Sequence, residues 1–122
     1  MPEIRIVIPT FDGRLSKNKN NLLHRIQFGR DVGTKQVRES FILLIRGTVN
    51  SSGIKFNPES LEIELLVYRP DKRYDGQNFV DEFCDIIQEA LGINDRHFKD
   101  FRCRSIDGQY PHFEIILKGE SE

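Results

Sequence analysis

The side chains best suited to chemistry lie in one stretch of the chain, from Arg73 to Phe98. Asp75 stands where helical periodicity begins, and Asp95 follows the end of that periodicity in a Gly-Ile-Asn-Asp turn. Each has an ordinary structural explanation, because Asp is favoured as a helix N-cap and Asn and Asp are common in turns. Taken singly, neither aspartate predicts a functional site.

Charge is divided unevenly along the chain, although the formal net charge is only −1. Residues 13–46 hold eight bases against two acids, whereas residues 74–122 hold eleven acids against five bases. A basic arm beside an acidic site is typical of a protein that grips a polyanion backbone and binds a metal elsewhere. Two solvated faces of opposite charge are the ordinary alternative.

The composition predicts a single small cytoplasmic domain over residues 1–122. A hydrophobic fraction of 38% and a charged fraction of 30% are those of a globular protein, and they exclude a disordered one. No apolar run approaches the roughly 18 residues that a membrane span needs, and the N-terminus lacks the features of a secretion signal. Cys84 and Cys103 lie far apart, so we expect reduced core thiols rather than a disulfide or a zinc site.

Hydrophobic periodicity predicts the element order β-α-β-α-β-β. We therefore expect an α/β fold with α+β character, in which two helices pack on one mixed sheet. The strands are predicted over residues 4–8, 61–68, 100–106 and 109–118. The last two are expected to form a hairpin, because Asp107-Gly108 is a strong two-residue turn signal.

Two segments between the strands have helical periodicity. The first is predicted to start at a Thr34 cap and to end near Arg46, and the second spans residues 77–91 with Gly92 as the residue that ends it. The polar segment over residues 10–33 is predicted to be a long loop, which is usually a functional feature. The side chains expected on the buried face of the first helix are Val37, Phe41, Leu44 and Ile45.

The run Arg73-Tyr74-Asp75-Gly76-Gln77-Asn78, the helix after it and then Asn94-Asp95 together resemble the RusA family of Holliday junction resolvases. The family pattern is Arg-x-Asp-x-Asp-Asn at the head of a helix, with an Asp-Asp pair after that helix. Pro9 and the segment Ser16-Lys17-Asn18-Lys19 resemble the family's Pro-x-x-Ser-x-Asn opening more weakly. The resemblance implies a Mg²⁺-dependent endonuclease that cuts four-way DNA junctions as a homodimer, in recombination and repair.

The resemblance also implies roles for individual residues. Asp75 and Asp95 take the positions of metal-binding, catalytic aspartates, and Asn78 that of a catalytic residue that supports the metal or orients water. Asn94 stands where the partner acid of Asp95 is often found. Arg102 and Arg104, which alternate outward on a strand, are further candidates to hold phosphates. The bases expected to bind DNA are Arg14, Lys17, Lys19, Arg25, Arg30, Lys72 and Arg73.

Besides Asn94, two further positions depart from the family pattern. Gln77 stands where the second aspartate should be, and an amide oxygen is a weaker ligand for Mg²⁺ because it carries no charge. Asp81 is acidic near a position where the family has a base. It lies four residues after Gln77 on the same helix face, so it either restores the lost carboxylate or is solvated surface.

The spacing of the two aspartates raises a geometric problem. A helix of about 15 residues separates Asp75 from Asp95 by roughly 20 Å, whereas Mg²⁺ needs its ligands at about 2.1 Å. Two copies of the helix, packed antiparallel, would bring Asp75 of one chain to Asp95 of the other. Two apolar stripes on this helix are consistent with such a dimer or with burial inside one chain: Phe79, Phe83, Ile86 and Ala90 in one, and Val80, Cys84, Ile87 and Leu91 in the other.

Three hypotheses about function remain open at this point. The chain is a metal-dependent endonuclease, a branched-DNA-binding protein whose cleavage is impaired by Gln77, or an interaction module whose acidic turn is incidental. His24, His97 and His112 do not have the spacing of metal ligands or of a catalytic triad.

Overall fold

The computed structural model describes the backbone of residues 1–16, 32–108 and 110–122, and the side chains in these ranges except those of residues 32–34 and Asp95. The predicted element order β-α-β-α-β-β is confirmed. The two helices are α1 (Val32–Ser52) and α2 (Val80–Leu91). The strands are β1 (Glu3–Ile8), β2 (Glu62–Arg69), β3 (Asp100–Asp107) and β4 (His112–Lys118).

The four strands form one mixed sheet in the spatial order β1-β4-β2-β3. β4 pairs antiparallel with β1 and with β2, whereas β2 and β3 are parallel and are connected through α2. The predicted fold class, a mixed sheet with two helices packed on it, is therefore confirmed. In a parallel pair the carboxyl ends of both strands lie at the same edge of the sheet. Here those ends are Arg69 and Asp107, which are register partners.

The predicted hairpin between the last two strands is wrong, because β2 lies between β3 and β4. The parallel connection through α2 places β3 on the outer side of β2, and β4 takes the opposite side. Side-chain character agrees with this order. β4 is central and apolar, with Phe113, Ile115 and Leu117 fully buried, whereas β3 is a polar edge strand. The last strand also begins at His112 and not at Gln109, which lies outside the described residues.

Both helices pack on the same face of the sheet, around Phe113 of β4. The ring of Phe113 lies 4.7 Å from that of Phe83 on α2 and 6.1 Å from that of Phe41 on α1, measured between ring centroids. The inward-facing side chains of β1 and β2 complete this core, and Ile63, Leu65 and Val67 are almost completely buried. Burial of this apolar surface is the main force that holds the helices against the sheet.

Helix α1 is longer than predicted, since it starts before Thr34 and continues past Arg46 to Ser52. Gly47 does not stop it, because an exposed glycine within a helix costs only about 1 kcal/mol relative to alanine. The helix ends before Gly53, whose φ of +71° is left-handed. The buried stripe is also shifted: Ile42 is buried where Leu44 was predicted, and Leu44 is 37% exposed.

The opposite face of the sheet carries a hydrogen-bonded group centred on Glu114 of β4. Arg5 Nε donates to Glu114 Oε1 over 2.6 Å, and His112 Nε2 lies 2.8 Å from Glu114 Oε2. The ring of Tyr68 stacks on His112 at a centroid distance of 4.0 Å. Burial by itself would raise the pKa of Glu114, but hydrogen bonds from His112, Arg5 and Tyr68 outweigh it and hold that pKa below its usual value.

Within the described residues, no helix is long and apolar enough to cross a membrane.

Candidate functional site

Asp75 caps the helical segment that follows β2. Its backbone is extended, with φ −85° and ψ 126°, and its Oδ1 accepts a hydrogen bond of 3.0 Å from the backbone N–H of Gln77. The first turn, Gly76–Phe79, is a 3-10 helix that leads directly into α2. The predicted N-cap is confirmed, and the carboxylate is exposed at the surface. Asn78 is half-buried next to it and donates its backbone N–H to the carbonyl oxygen of Asp75 over 3.0 Å.

The strands fix the chain on both sides of Asp75. Before it, the Nη1 of Arg69 donates to the carbonyl oxygen of Tyr74 over 2.9 Å. After it, the backbone N–H of Gly76 donates to the Oγ of Ser105 on β3 over 2.7 Å. Gly76 has no room for a side chain, because a Cβ there would lie 2.5 Å from this Oγ. The position of Asp75 is therefore set by the carboxyl ends of β2 and β3.

Gln77 bonds to the edge strand through its amide. Its Nε2 lies 3.4 Å from the carbonyl oxygen of Cys103, which makes a long hydrogen bond to the outer side of β3. A carboxylate at this position could not donate a hydrogen bond. The amide of Gln77 therefore has a local structural role, although the residue departs from the family pattern.

Cys103 lies beneath the same turn and donates its Sγ–H to the carbonyl oxygen of Gly76 over 3.3 Å. Burial, and to a smaller extent the charge of Asp75, raise the pKa of the Cys103 thiol to about 11. The thiol is therefore protonated at neutral pH and a poor nucleophile. Cys84 and Cys103 are both half-buried reduced thiols that are not joined to each other.

Three of the predicted DNA-binding bases lie near Asp75. Lys72 and Arg73 are exposed in the loop that joins β2 to the capped turn, and the Arg73 side chain is 84% exposed while bound to Asp71. The backbone of Arg14 is also close, because the neighbouring Gly13 packs against Tyr74, the residue before Asp75. A Cβ on Gly13 would lie only 2.7 Å from the Tyr74 ring. The remaining predicted bases, Lys17, Lys19, Arg25 and Arg30, lie outside the described residues.

Arg102 and Arg104 are not part of this group. Their strand positions point them to the face of the sheet opposite the helices, where Arg102 pairs with Asp100 and Arg104 with Glu64.

Asp95 lies at the opposite end of α2 from Asp75. Its backbone begins the short 3-10 turn Asp95–His97, and its side chain lies outside the described residues. Shortly after this turn, Lys99 donates its N–H to the carbonyl oxygen of Leu61, which precedes β2. The turn therefore lies beside the start of β2, whereas Asp75 lies beyond its end. The 12 residues of α2 separate the two ends by about 18 Å.

Most of the apolar surface of helix α2 is already buried within one chain, so little of it is left for the antiparallel dimer. Residues of both predicted stripes, including Phe83 and Ile87, are fully buried against the sheet and α1. The exposed positions of the helix are acidic: Asp81, Asp85 and Glu89. Packing two copies of α2 through this face would bring like charges together. The charge of this face therefore disfavours direct packing of two α2 helices.

The described residues of one chain do not bring together the metal ligands implied by the resemblance. Among the described residues, no group of three or more His, Cys, Asp or Glu side chains is arranged to hold a metal ion. Asp75 contributes one carboxylate, Gln77 bonds to β3 through its amide, and Asp81 is exposed on α2. Since Mg²⁺ prefers several oxygen ligands in an octahedral arrangement, the described residues of a single chain do not form its site.

Sequence reasoning missed three residues that lie around Asp75: Arg69, Ser105 and Asp107. Arg69 Nε donates to Asp107 Oδ1 over 2.7 Å, in addition to its bond with the Tyr74 carbonyl. The available signal was the β-α-β pattern itself, because a parallel connection brings the carboxyl ends of its two strands together. Because β3 and β4 were predicted to pair as a hairpin, the parallel pairing of β2 with β3 was not predicted.

A comparison of the chain with models of known protein families and with curated proteins finds no match.

Proposed function

We propose that the chain is a RusA-like endonuclease that acts on branched DNA, with four-way junctions as the preferred substrate. The observation that carries this proposal is the grouping of an exposed carboxylate, Asp75, with the exposed bases Lys72 and Arg73 in one loop. Bases of this kind bind phosphates, and a carboxylate among them can take part in phosphodiester hydrolysis when a metal ion is bound. The match of residues 73–78 and 94–95 to the family pattern supports the same function.

The proposal needs a second copy of the chain. Since Asp75 and Asp95 lie at opposite ends of α2, a Mg²⁺ ion bound by both would take Asp75 from one protomer and Asp95 from its partner. This arrangement sets the two α2 helices antiparallel, so a bound cation or contacts elsewhere in the chain would have to offset the repulsion between their acidic faces. Sedimentation is expected to give a dimer, and a monomer at micromolar concentration would contradict the shared site.

A second candidate function keeps DNA binding without cleavage. The observation in its favour is Gln77, which replaces a metal-binding carboxylate and donates its amide to the Cys103 carbonyl over 3.4 Å. Such a protein would hold a junction through its bases and leave the phosphodiester bonds intact.

A labelled four-way junction, titrated with the protein and Mg²⁺ beside a linear duplex of the same length, separates these functions. Junction cleavage supports the endonuclease, and tight junction binding without products supports the second candidate. Neither binding nor cleavage rejects both, which leaves a protein-interaction module.

Two variants test the role of Asp75. Asp75→Asn should abolish cleavage and retain junction binding, because it removes charge and keeps shape. Asp85→Asn is the matched control, since Asp85 is an exposed carboxylate on α2 away from the capped turn, and it should cut like the wild type. Equal activity in the two variants would exclude Asp75 from the reaction.

The effect of Gln77→Asp tests whether this position lies in the metal site. The endonuclease proposal expects faster cleavage, because the change restores an anionic oxygen. The same change removes the hydrogen bond to Cys103, at a cost of about 1 kcal/mol in stability. A loss of stability without faster cleavage would show that the residue serves only the fold.

A further inference from the structure

Arg69 is the last residue of β2, and its side chain connects three segments of the site. The Nε donates to Asp107 at the end of β3 over 2.7 Å, and the Nη1 donates to the carbonyl oxygen of Tyr74 over 2.9 Å. Only 18% of the Arg69 side chain is exposed, whereas 58% of the Asp107 side chain is exposed. Most of the Arg69 side chain is therefore shielded from solvent.

The bond to Tyr74 acts directly on the peptide that enters Asp75. The peptide that leaves Asp75 is held by Ser105 Oγ through the Gly76 N–H. These two bonds fix the extended backbone of Asp75, and the hydrogen bond from the Gln77 N–H to Asp75 Oδ1 then fixes the direction of the carboxylate. Loss of either bond frees one side of the residue.

Charge supports the same arrangement. The hydrogen bond that Arg69 donates to Asp107 is the largest cause of the raised pKa of Arg69, and the charges of Asp107, Asp75 and Asp71 raise that pKa further. A guanidinium among three carboxylates reduces their mutual repulsion. Methionine at position 69 would leave Asp107 without its hydrogen-bonded partner and would remove a positive charge near Asp75.

We propose that Arg69, oriented by Asp107, is a positioning residue that holds the carboxylate of Asp75 in the direction needed for phosphodiester cleavage. This inference rests on the proposed function. Arg69 and Asp107 both lie outside the residues that carry the resemblance. Arg69 does not contact the substrate in this proposal and acts only through the backbone beside Asp75.

The first test measures the geometry without any activity. In ¹⁵N-labelled protein, the Gln77 amide reports on the capped turn, because it donates to Asp75 Oδ1. Arg69→Met should shift this amide resonance and increase its hydrogen exchange at least tenfold. Arg104→Met is the matched control, since Arg104 lies on the neighbouring strand β3 and also pairs with an acid, Glu64, at 3.6 Å. An unchanged Gln77 amide in Arg69→Met, or an equal change in the control, would overturn the proposal.

The second test separates positioning from a general loss of structure. Single-turnover cleavage of the junction at saturating protein should fall at least tenfold in Arg69→Met, while the junction Kd stays within about threefold. Arg69→Lys should recover part of the rate, because it keeps the charge and one donor. Asp107→Asn should give an intermediate rate. A fall in affinity that accounts for the lost activity, or wild-type cleavage by Arg69→Met, would contradict the role.

The two tests distinguish the failure of this inference from the failure of the proposed function. Absence of cleavage by the wild-type protein rejects the nuclease and with it the catalytic part of the inference. The amide measurement then still decides whether Arg69 positions Asp75. A changed amide with unchanged cleavage rejects the catalytic part alone.

Discussion

Replacing Gly76 with alanine should loosen the capped turn from the sheet and destabilise the protein. A Cβ at this position would lie 2.5 Å from Ser105 Oγ and 3.3 Å from Cys103 Sγ. The Ser105 hydroxyl has to rotate away, and it then no longer accepts the Gly76 N–H that it binds over 2.7 Å. The φ of Gly76 is not left-handed, since only Gly53 and Gly92 have positive φ among the described glycines. Space, and not backbone conformation, therefore makes glycine necessary here.

The size of the effect follows from these contacts. A buried N–H left without its acceptor costs about 1–3 kcal/mol. Alanine recovers about 0.4–1 kcal/mol, because it restricts the unfolded chain more than glycine does. The net loss in the free energy of unfolding is therefore expected to be about 1–2 kcal/mol. For a protein of this size it lowers the urea midpoint by roughly 0.5–1 M.

Urea denaturation of four proteins tests this reasoning: the wild type, Gly76→Ala, Ser105→Ala and the double variant. The cost of Gly76→Ala should nearly vanish in the Ser105→Ala background, because the atom that it clashes with has been removed. Gly47→Ala is the matched control. A Cβ at Gly47 meets nothing within 4 Å, so alanine there should stabilise the helix by about 1 kcal/mol.

Two results would refute the argument. One is a Gly76→Ala variant as stable as Gly47→Ala, which would mean that the turn is not packed against β3. The other is strict additivity with Ser105→Ala, which would place the clash elsewhere.

Three further predictions concern other ionisable groups. Glu82→Ala should lower the free energy of unfolding, measured by urea denaturation, by about 3–5 kcal/mol, because Glu82 is 3% exposed and lies 3.2 Å from Arg38. Glu64→Ala, in a more exposed pair, should lower it by less than about 1 kcal/mol, and similar losses in the two variants would contradict the difference in burial. The lowered pKa of Glu114 stabilises the fold fully at pH values above its unfolded-chain pKa of about 4.3, and this stabilisation is lost as the pH falls through the folded pKa. Glu114→Gln should therefore flatten the acid side of the curve of stability against pH, measured from pH 7 to pH 3. Iodoacetamide at pH 8 should modify Cys103 at least tenfold more slowly in the native protein than in urea, as read by peptide mass mapping, because its thiol has a pKa of about 11; equal rates would contradict its burial.

Local patterns in the sequence predicted most of the secondary structure correctly. The structure confirms the alternation in β2, the helical period of α2, the Asp75 cap and the end of α2 at Gly92. Gly92 has a φ of +68° and donates its N–H to the carbonyl oxygen of Gln88. These features depend on neighbours within a few residues, which the sequence displays directly. The α1 boundary was wrong for a local reason, since a single glycine is a weak stop signal within a helix.

Strand pairing was not predictable from the same patterns. Asp107-Gly108 has the residues of a tight hairpin, but the burial of β4 between β1 and β2 overrides this local preference. Pairing depends on which apolar faces can be buried together, and this is a property of the whole chain.

Local residue patterns are enough to place Asp75 at the start of a helix, Asp95 after its end, and several bases close to Asp75. The surroundings of Asp75 depend on the assembled fold, because Arg69, Ser105 and Asp107 meet there only when β2 and β3 are parallel neighbours. The fold also separates the two aspartates by the length of α2 and buries most of the apolar residues of that helix within one chain. Residue types and helix caps are encoded locally, whereas the contact between residues 69 and 107 forms only when the sheet assembles.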